Sequence, residues 1–225
     1  MLLTFLNNRH HFTMMDVALM LLAYAVVLFL VLPVHEFAHA YVAHLCGDDT
    51  AKWYGRLSIN PMRHLDLWGT LMMLTVGIGY AKPVPVNTRN LRNYKRDSIL
   101  VALAGPLSNF LMAFLAAAIF RVCLIFVDDI EVLSWLYLVL IGIVASVNIV
   151  LMVFNLLPIP PLDGSRLWSS LLPGRWAYVL EQNSRYITMA LFVALMTGIL
   201  DKPLDALQFG VGRVIGWMLG EPNLF

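Results

Sequence analysis

Between Ser98 and Phe120 the chain runs 23 residues without a charged side chain, enough for a helix to cross the hydrocarbon core of a bilayer. Val17 to Val34 adds 18 such residues, and Val132 to Leu162 adds 31. Inside lipid every backbone N–H and C=O must be satisfied within the segment, so runs of this length predict helices. Tyr186 to Leu200 is a shorter run of 15. Leu204 to Leu219 holds Asp205 and Arg213 and reads as interfacial or as a weak further span. The chain is 60% hydrophobic and 13% charged, where a soluble domain carries about 25% charge. That excludes a disordered chain, a coiled coil and an ordinary cytosolic enzyme. With a net charge of +1 there is no basic field for nucleic acid.

Loop charges set the expected orientation. Gly47 to Arg96 contains eight Lys and Arg, Pro158 to Arg185 contains three, and Val127 to Glu131 contains none. By the positive-inside rule the first two face the cytosol and Asp128 to Glu131 faces out. Cys46 and Cys123 then lie at opposite membrane faces and read as small apolar fillers rather than a pair. The start, MLLTFLNNRHHF, lacks the basic, apolar and small-residue regions of a removable signal peptide. Leu67 to Ala81, apolar and glycine-rich, is too short to cross and predicts a re-entrant or strand-like segment. Trp53 to Ile59 and Gly79 to Val86 read as short extended pieces, with Pro83 and Pro85 suited to an edge. Pro33 predicts a kink in the first apolar helix.

Just after that proline stands His35-Glu36-Phe37-Ala38-His39. At 100° per residue His39 lies about 40° around the helix from His35 and Glu36 about 100°, so all three share one face. Two imidazoles a turn apart suit zinc, and the neighbouring carboxylate can take a proton from a zinc-activated water. With six His and four Glu in 225 residues, chance would supply about 0.003 such matches. Ionisable groups are also expensive on a membrane helix, and a metal is the economical partner. His10, His11 and His44 carry no pairing signal.

A zinc held by two histidines needs a third protein ligand. Asn155-Leu-Leu-Pro158-Ile-Pro160-Pro161-Leu-Asp163-Gly164 ends a long span on the same expected side as the histidines. Asp163 is topologically able to close the site, and a plain Asp-Gly turn accounts for the same residues equally well.

Taken together these motifs resemble the site-2 protease family of intramembrane zinc metalloproteases. HEFAH resembles its zinc motif. Asn155, Pro158 and Leu162-Asp163-Gly164 resemble its third-ligand motif, and Ala104-Gly105-Pro106-Leu107-Ser108-Asn109 resembles a signature on the intervening helix. The resemblance implies one zinc per chain on His35, His39 and Asp163, Glu36 as the catalytic base, and a site within the membrane near the cytosol. The sequence departs from many members of that family in showing neither a PDZ or CBS domain nor an obvious span before the HEFAH helix, so the expectation is a minimal form.

Other residues have weaker signals. Asn109 and Asn155, in apolar helices, either bridge helices or bind substrate backbone and the developing oxyanion. His64 and Asp66 are candidates for the outer shell of the metal, against a simple structural role. Trp53, Tyr54, Trp68, Tyr80, Trp135, Tyr137 and Trp168 read as interface anchors. The extended pieces are expected to receive an unwound substrate by edge pairing.

The expectation is therefore an all-α polytopic membrane protein with four to six transmembrane helices and a small membrane-associated β element after the HExxH helix. It forms a single integral-membrane domain over 1–225, with a core at 14–164 and C-terminal helices at 186–225. The expected function is an intramembrane zinc metalloendopeptidase that cleaves transmembrane segments of membrane proteins. Its partners are the bilayer and a transmembrane substrate, with no nucleic acid, in a prokaryotic inner membrane. The competing reading is a non-proteolytic membrane protein with a structural or metal-handling zinc. Glu36 between the histidines argues against it, because a closed structural site has no use for a base. An HExxH protease with a glutamate ligand would need Glu131, Glu181 or Glu221. Glu131 is on the wrong side, and the others lack context.

Overall fold

The structure, a computed structural model, describes residues 14–76 and 81–225. The MLLTFLNNRHHF segment and Gly77 and Gly79 lie outside the described residues. Among the described residues three helical stretches are long and apolar enough to cross a membrane: Val17–Leu45, Tyr94–Phe126 and Ile130–Asn155. The chain divides into two compact units, Met1–Asn90 and Leu91–Phe225.

In the first unit a single helical rod is built in three parts. Met14–Val26 is α-helical, Val27–Val31 is a π-turn, and Leu32–Leu45 is α-helical again. Pro33 sits in the first turn of that last part. Proline has no N–H to donate and its ring crowds the preceding turn, and a wider π-turn just before it leaves room for that ring. A π-turn therefore stands where the sequence predicts the kink. Leu67–Val76 is a ten-residue helix, too short to cross. Asp66 starts it, accepting a hydrogen bond from the Gly69 N–H at 2.9 Å.

The second unit is built around the 33-residue helix Tyr94–Phe126. Asn93 caps its start by accepting from the Arg96 N–H. One face is small and buried: Ala113, Ala116 and Ala117 pack with Ile141, Ala145, Ile149 and Val153 of the next span. Small residues let two membrane helices approach closely. The opposite face carries Leu107, Leu111, Leu115 and Ile119 at four-residue spacing, all more than half exposed. Large apolar side chains outward and alanines inward suit a rod whose solvent is lipid. The next span is again interrupted, with a π-turn at Leu138–Ala145 between helices Ile130–Tyr137 and Ser146–Asn155.

Two sequence expectations come out differently. No strand is present among the described residues. Where Trp53 to Ile59 is expected to extend, Thr50–Trp53 forms a helical turn and Gly55 takes φ +65°. That left-handed turn breaks any straight run. Residues 81–87 form no ladder either, because Pro83 and Pro85 contribute no donors. The N–H groups of Lys82, Val84 and Asn87 go one at a time to a carbonyl or carboxylate. Of the four to six crossings expected, three have the length and apolarity of a span among the described residues. The fourth candidate, Ser184–Met196, has 13 residues, about 20 Å of helix against about 30 Å of hydrocarbon.

Candidate metal centre

His35 and His39 project from successive turns of Leu32–Leu45, and both are buried. Their Nε2 atoms approach to 3.1 Å, with the rings nearly perpendicular at 78°. Two Zn–N bonds of about 2.05 Å at a tetrahedral angle require an N···N separation of about 3.3 Å. The pair therefore fits one zinc ion as it stands. Neutral imidazole nitrogens directed at one point are the donor chemistry zinc prefers.

Glu36 is half-buried beside them. Its Oε2 accepts a hydrogen bond of 3.0 Å from the main-chain N–H of Val84. That residue is buried in a small cluster with Ala40 and Ala51, against which Leu57 and Val86 pack. Residues 81–87 thus form a strap over the helix face that carries Glu36. The Lys82 N–H donates to the His64 carbonyl at 2.8 Å. At the other end the Asn87 N–H donates to Asp48 Oδ2 at 2.7 Å.

Asp48 holds that end. It is fully buried, and its Oδ1 accepts from the Thr50 N–H, the Thr50 hydroxyl and the Asn90 amide. Burial pushes its pKa up, but these hydrogen bonds together with that from Asn87 outweigh burial and hold the carboxyl below the usual range. A depressed pKa stabilises the fold above the ordinary Asp value of about 3.9 and loses that contribution as pH falls through the folded value. Asp48→Ala leaves several buried donors unpaired and is expected to cost about 2–4 kcal/mol. Thermal unfolding in detergent at pH 7 and pH 3 checks this, with the gap from wild type expected to shrink at pH 3.

His64 is fully buried, and its Nε2 lies 2.6 Å from the Ser58 carbonyl. A carbonyl only accepts, so Nε2 carries the proton and only Nδ1 could serve a metal. Asp66, two residues further on, caps the helix Leu67–Val76.

In the second unit Asp163 opens the helix Asp163–Leu171 and is half-buried. Gly164 makes this turn possible. A Cβ there would stand 2.2 Å from the Leu157 carbonyl oxygen and 2.4 Å from that of Leu156. The Asp-Gly turn is therefore pressed onto the end of the preceding helix, whose last residue is Asn155. The Thr188 hydroxyl donates to the Pro160 carbonyl at 2.7 Å and ties the helix Ser184–Met196 to the proline loop. Asn109 is fully buried on Tyr94–Phe126, and neither side-chain polar atom has a hydrogen-bond partner among the described residues. Leaving a buried amide unsatisfied costs about 1–3 kcal/mol per group, which marks Asn109 as more than filler.

Three contributors leave little or no mark in the sequence. Val84 acts through its main chain, which has no residue signature. Asp48 begins Asp48-Asp49-Thr50, a turn pattern that signals a local hydrogen bond but not the distant Asn87. Asn148 is fully buried, donating to Val144 of its own helix while its Oδ1 has no partner among the described residues.

The model of the family described as Peptidase family M50 matches residues 23–199. The chain is 40% identical over 183 residues to the Bacillus subtilis protein named "Putative zinc metalloprotease YwhC", covering 80% of this chain and 83% of that one. It is 35% identical over 137 residues to the Mycobacterium tuberculosis protein named "Putative zinc metalloprotease Rip2", covering 58% of this chain and 49% of that one. With the Methanocaldococcus jannaschii protein named "Putative zinc metalloprotease MJ0611" the identity is 30% over 150 residues, covering 64% and 68%. No solved structure matches the chain. The match runs through the HEFAH helix and on past the Asp163 turn, and on that extent the chain belongs to peptidase family M50.

Proposed function

We propose that this membrane protein cleaves transmembrane segments of other membrane proteins, with its reacting groups within the bilayer near the cytosolic side. It is a zinc metalloprotease. The observation that carries the proposal is the paired His35 and His39 nitrogens, 3.1 Å apart and beside Glu36, on a helix long and apolar enough to cross a membrane.

His35, His39 and Asp163 are the proposed ligands. Two neutral nitrogens and one carboxylate make a common catalytic zinc donor set and leave one position open. Zinc, when bound, supplies Lewis acidity that makes a water a competent nucleophile near neutral pH and polarises the scissile carbonyl. Glu36 moves the proton, taking it from the attacking water and delivering it to the departing amine. Asn109 and Asn155 are proposed to hold the substrate main chain, their Nδ2 groups donating to the carbonyl oxygen as negative charge develops there. An unwound substrate segment is required, because a helix keeps its carbonyls in internal hydrogen bonds. His64 stays a candidate for the outer shell through Nδ1 alone.

The whole chain is proposed to act as one integral-membrane domain of a prokaryotic inner membrane, with Gly47 to Arg96 and Pro158 to Arg185 in the cytosol. Ser184–Met196, lengthened by its flanks, is the proposed fourth crossing.

The test is zinc per chain in detergent-purified protein. Wild type is expected to hold about one zinc, and His35→Ala with His39→Ala none. A wild type that holds no zinc after metal is supplied would favour a non-enzymatic membrane protein.

A further inference from the structure

We propose that Val84 is a positioning residue for the base, its main-chain N–H holding the Glu36 carboxylate in the orientation that proton transfer needs. The proposal rests on the reading of Glu36 as that base.

A glutamate side chain has three rotatable bonds, and a base must meet its proton within about 3 Å. Left to itself, Glu36 would sample several rotamers and face the reacting water only part of the time. The Val84 N–H, at 3.0 Å from Oε2, selects one of them and leaves the other carboxylate oxygen to do chemistry.

The strap is built to present this donor. Pro83 and Pro85 flank Val84 and have their φ angles locked, so the chain on either side has little freedom to turn the N–H away. The ends are tied down separately, by Lys82 N–H on the His64 carbonyl and by Asn87 N–H on Asp48. The Val84 side chain is buried at 6% exposure in the cluster with Ala40, one turn beyond Glu36 on the same helix. Side-chain packing thus sets the height of the strap, and the main chain does the work on the base. Pro83 and Pro85 also account for the missing β ladder: between its two tied ends the strap offers the Val84 N–H to the Glu36 carboxylate.

The first experiment is amide hydrogen exchange in detergent. Residues 82–87 carry main-chain amides only at Lys82, Val84, Val86 and Asn87, so a change at Val84 reads as one deuteron. In Glu36→Ala the Val84 amide is expected to exchange at least tenfold faster than in wild type, with Lys82 and Asn87 unchanged. The second experiment compares Val84→Ala, which keeps the N–H, with Val84→Pro, which removes it. The probe is acetohydroxamate, whose hydroxyl is a hydrogen-bond donor to the base, titrated into zinc-loaded protein. Val84→Ala is expected to bind it within threefold of wild type, and Val84→Pro at least tenfold more weakly at equal zinc content. Equal affinity in the two variants, or unchanged Val84 exchange in Glu36→Ala, overturns the proposal. Should Val84→Pro fail to fold, the exchange result decides alone. Failure of the zinc reading shows separately, as a wild type without metal, and leaves the exchange result standing.

Discussion

Glu36→Gln is expected to lower turnover by about 10²–10⁴-fold while the protein keeps its zinc. Glutamine has nearly the size and shape of glutamate, so the helix face and the Val84 N–H contact, which needs only an acceptor, survive. What disappears is the ability to take up a proton, and general acid–base catalysis contributes that range. The His35 and His39 nitrogens are untouched, so metal content separates this variant from one that has merely unfolded. The measurement compares membrane proteomes of cells carrying wild type and Glu36→Gln, then follows cleavage of a protein that accumulates intact in the variant. Equal turnover in the two would remove Glu36 from the reaction.

The second large effect concerns the proposed third ligand. Asp163→Ala is expected to weaken zinc binding by about 100-fold or more, since loss of even an outer-shell partner costs roughly 10–100-fold. Zinc content after dialysis against a chelator reads it directly. Helix Asp163–Leu171 should persist, because the contact that seats its first turn is made by Gly164 against the Leu156 and Leu157 carbonyls rather than by the aspartate side chain. Zinc retained unchanged would clear Asp163 and turn attention to His64. His64 commits Nε2 to Ser58, so it would have to bind through Nδ1.

Much of the site is legible in the order of the residues. HEFAH is a short-range pattern: helix pitch alone puts the two histidines on one face, about 6 Å apart along the axis, and their side-chain rotamers close the two nitrogens to 3.1 Å. Asp163 is readable only as a candidate, because an Asp-Gly pair also makes an ordinary turn. His64 and Asp66 look alike as loop residues and have different roles, one anchoring a loop through Ser58 and one capping a helix. Among the described residues the expected β element does not form, for an identifiable reason. An alternation of apolar residues marks a segment that lies along a surface, but a strand also needs a neighbour with a matching row of donors and acceptors. Between Ala81 and Asn87 the partners are single groups at different places in the unit.

The amino-acid order alone determined the helical, membrane-embedded character of the chain and the His-Glu-His face. Both are set by local physics: lipid demands internally satisfied backbone, and a helix repeats every 3.6 residues. Only the tertiary structure decided which main-chain amide meets Glu36 and which turn Asp48 pins. Hydrogen bonds from the backbone join residues 48 and 39 positions apart in the chain and carry no side-chain signature. Folding alone brings those donors and acceptors together.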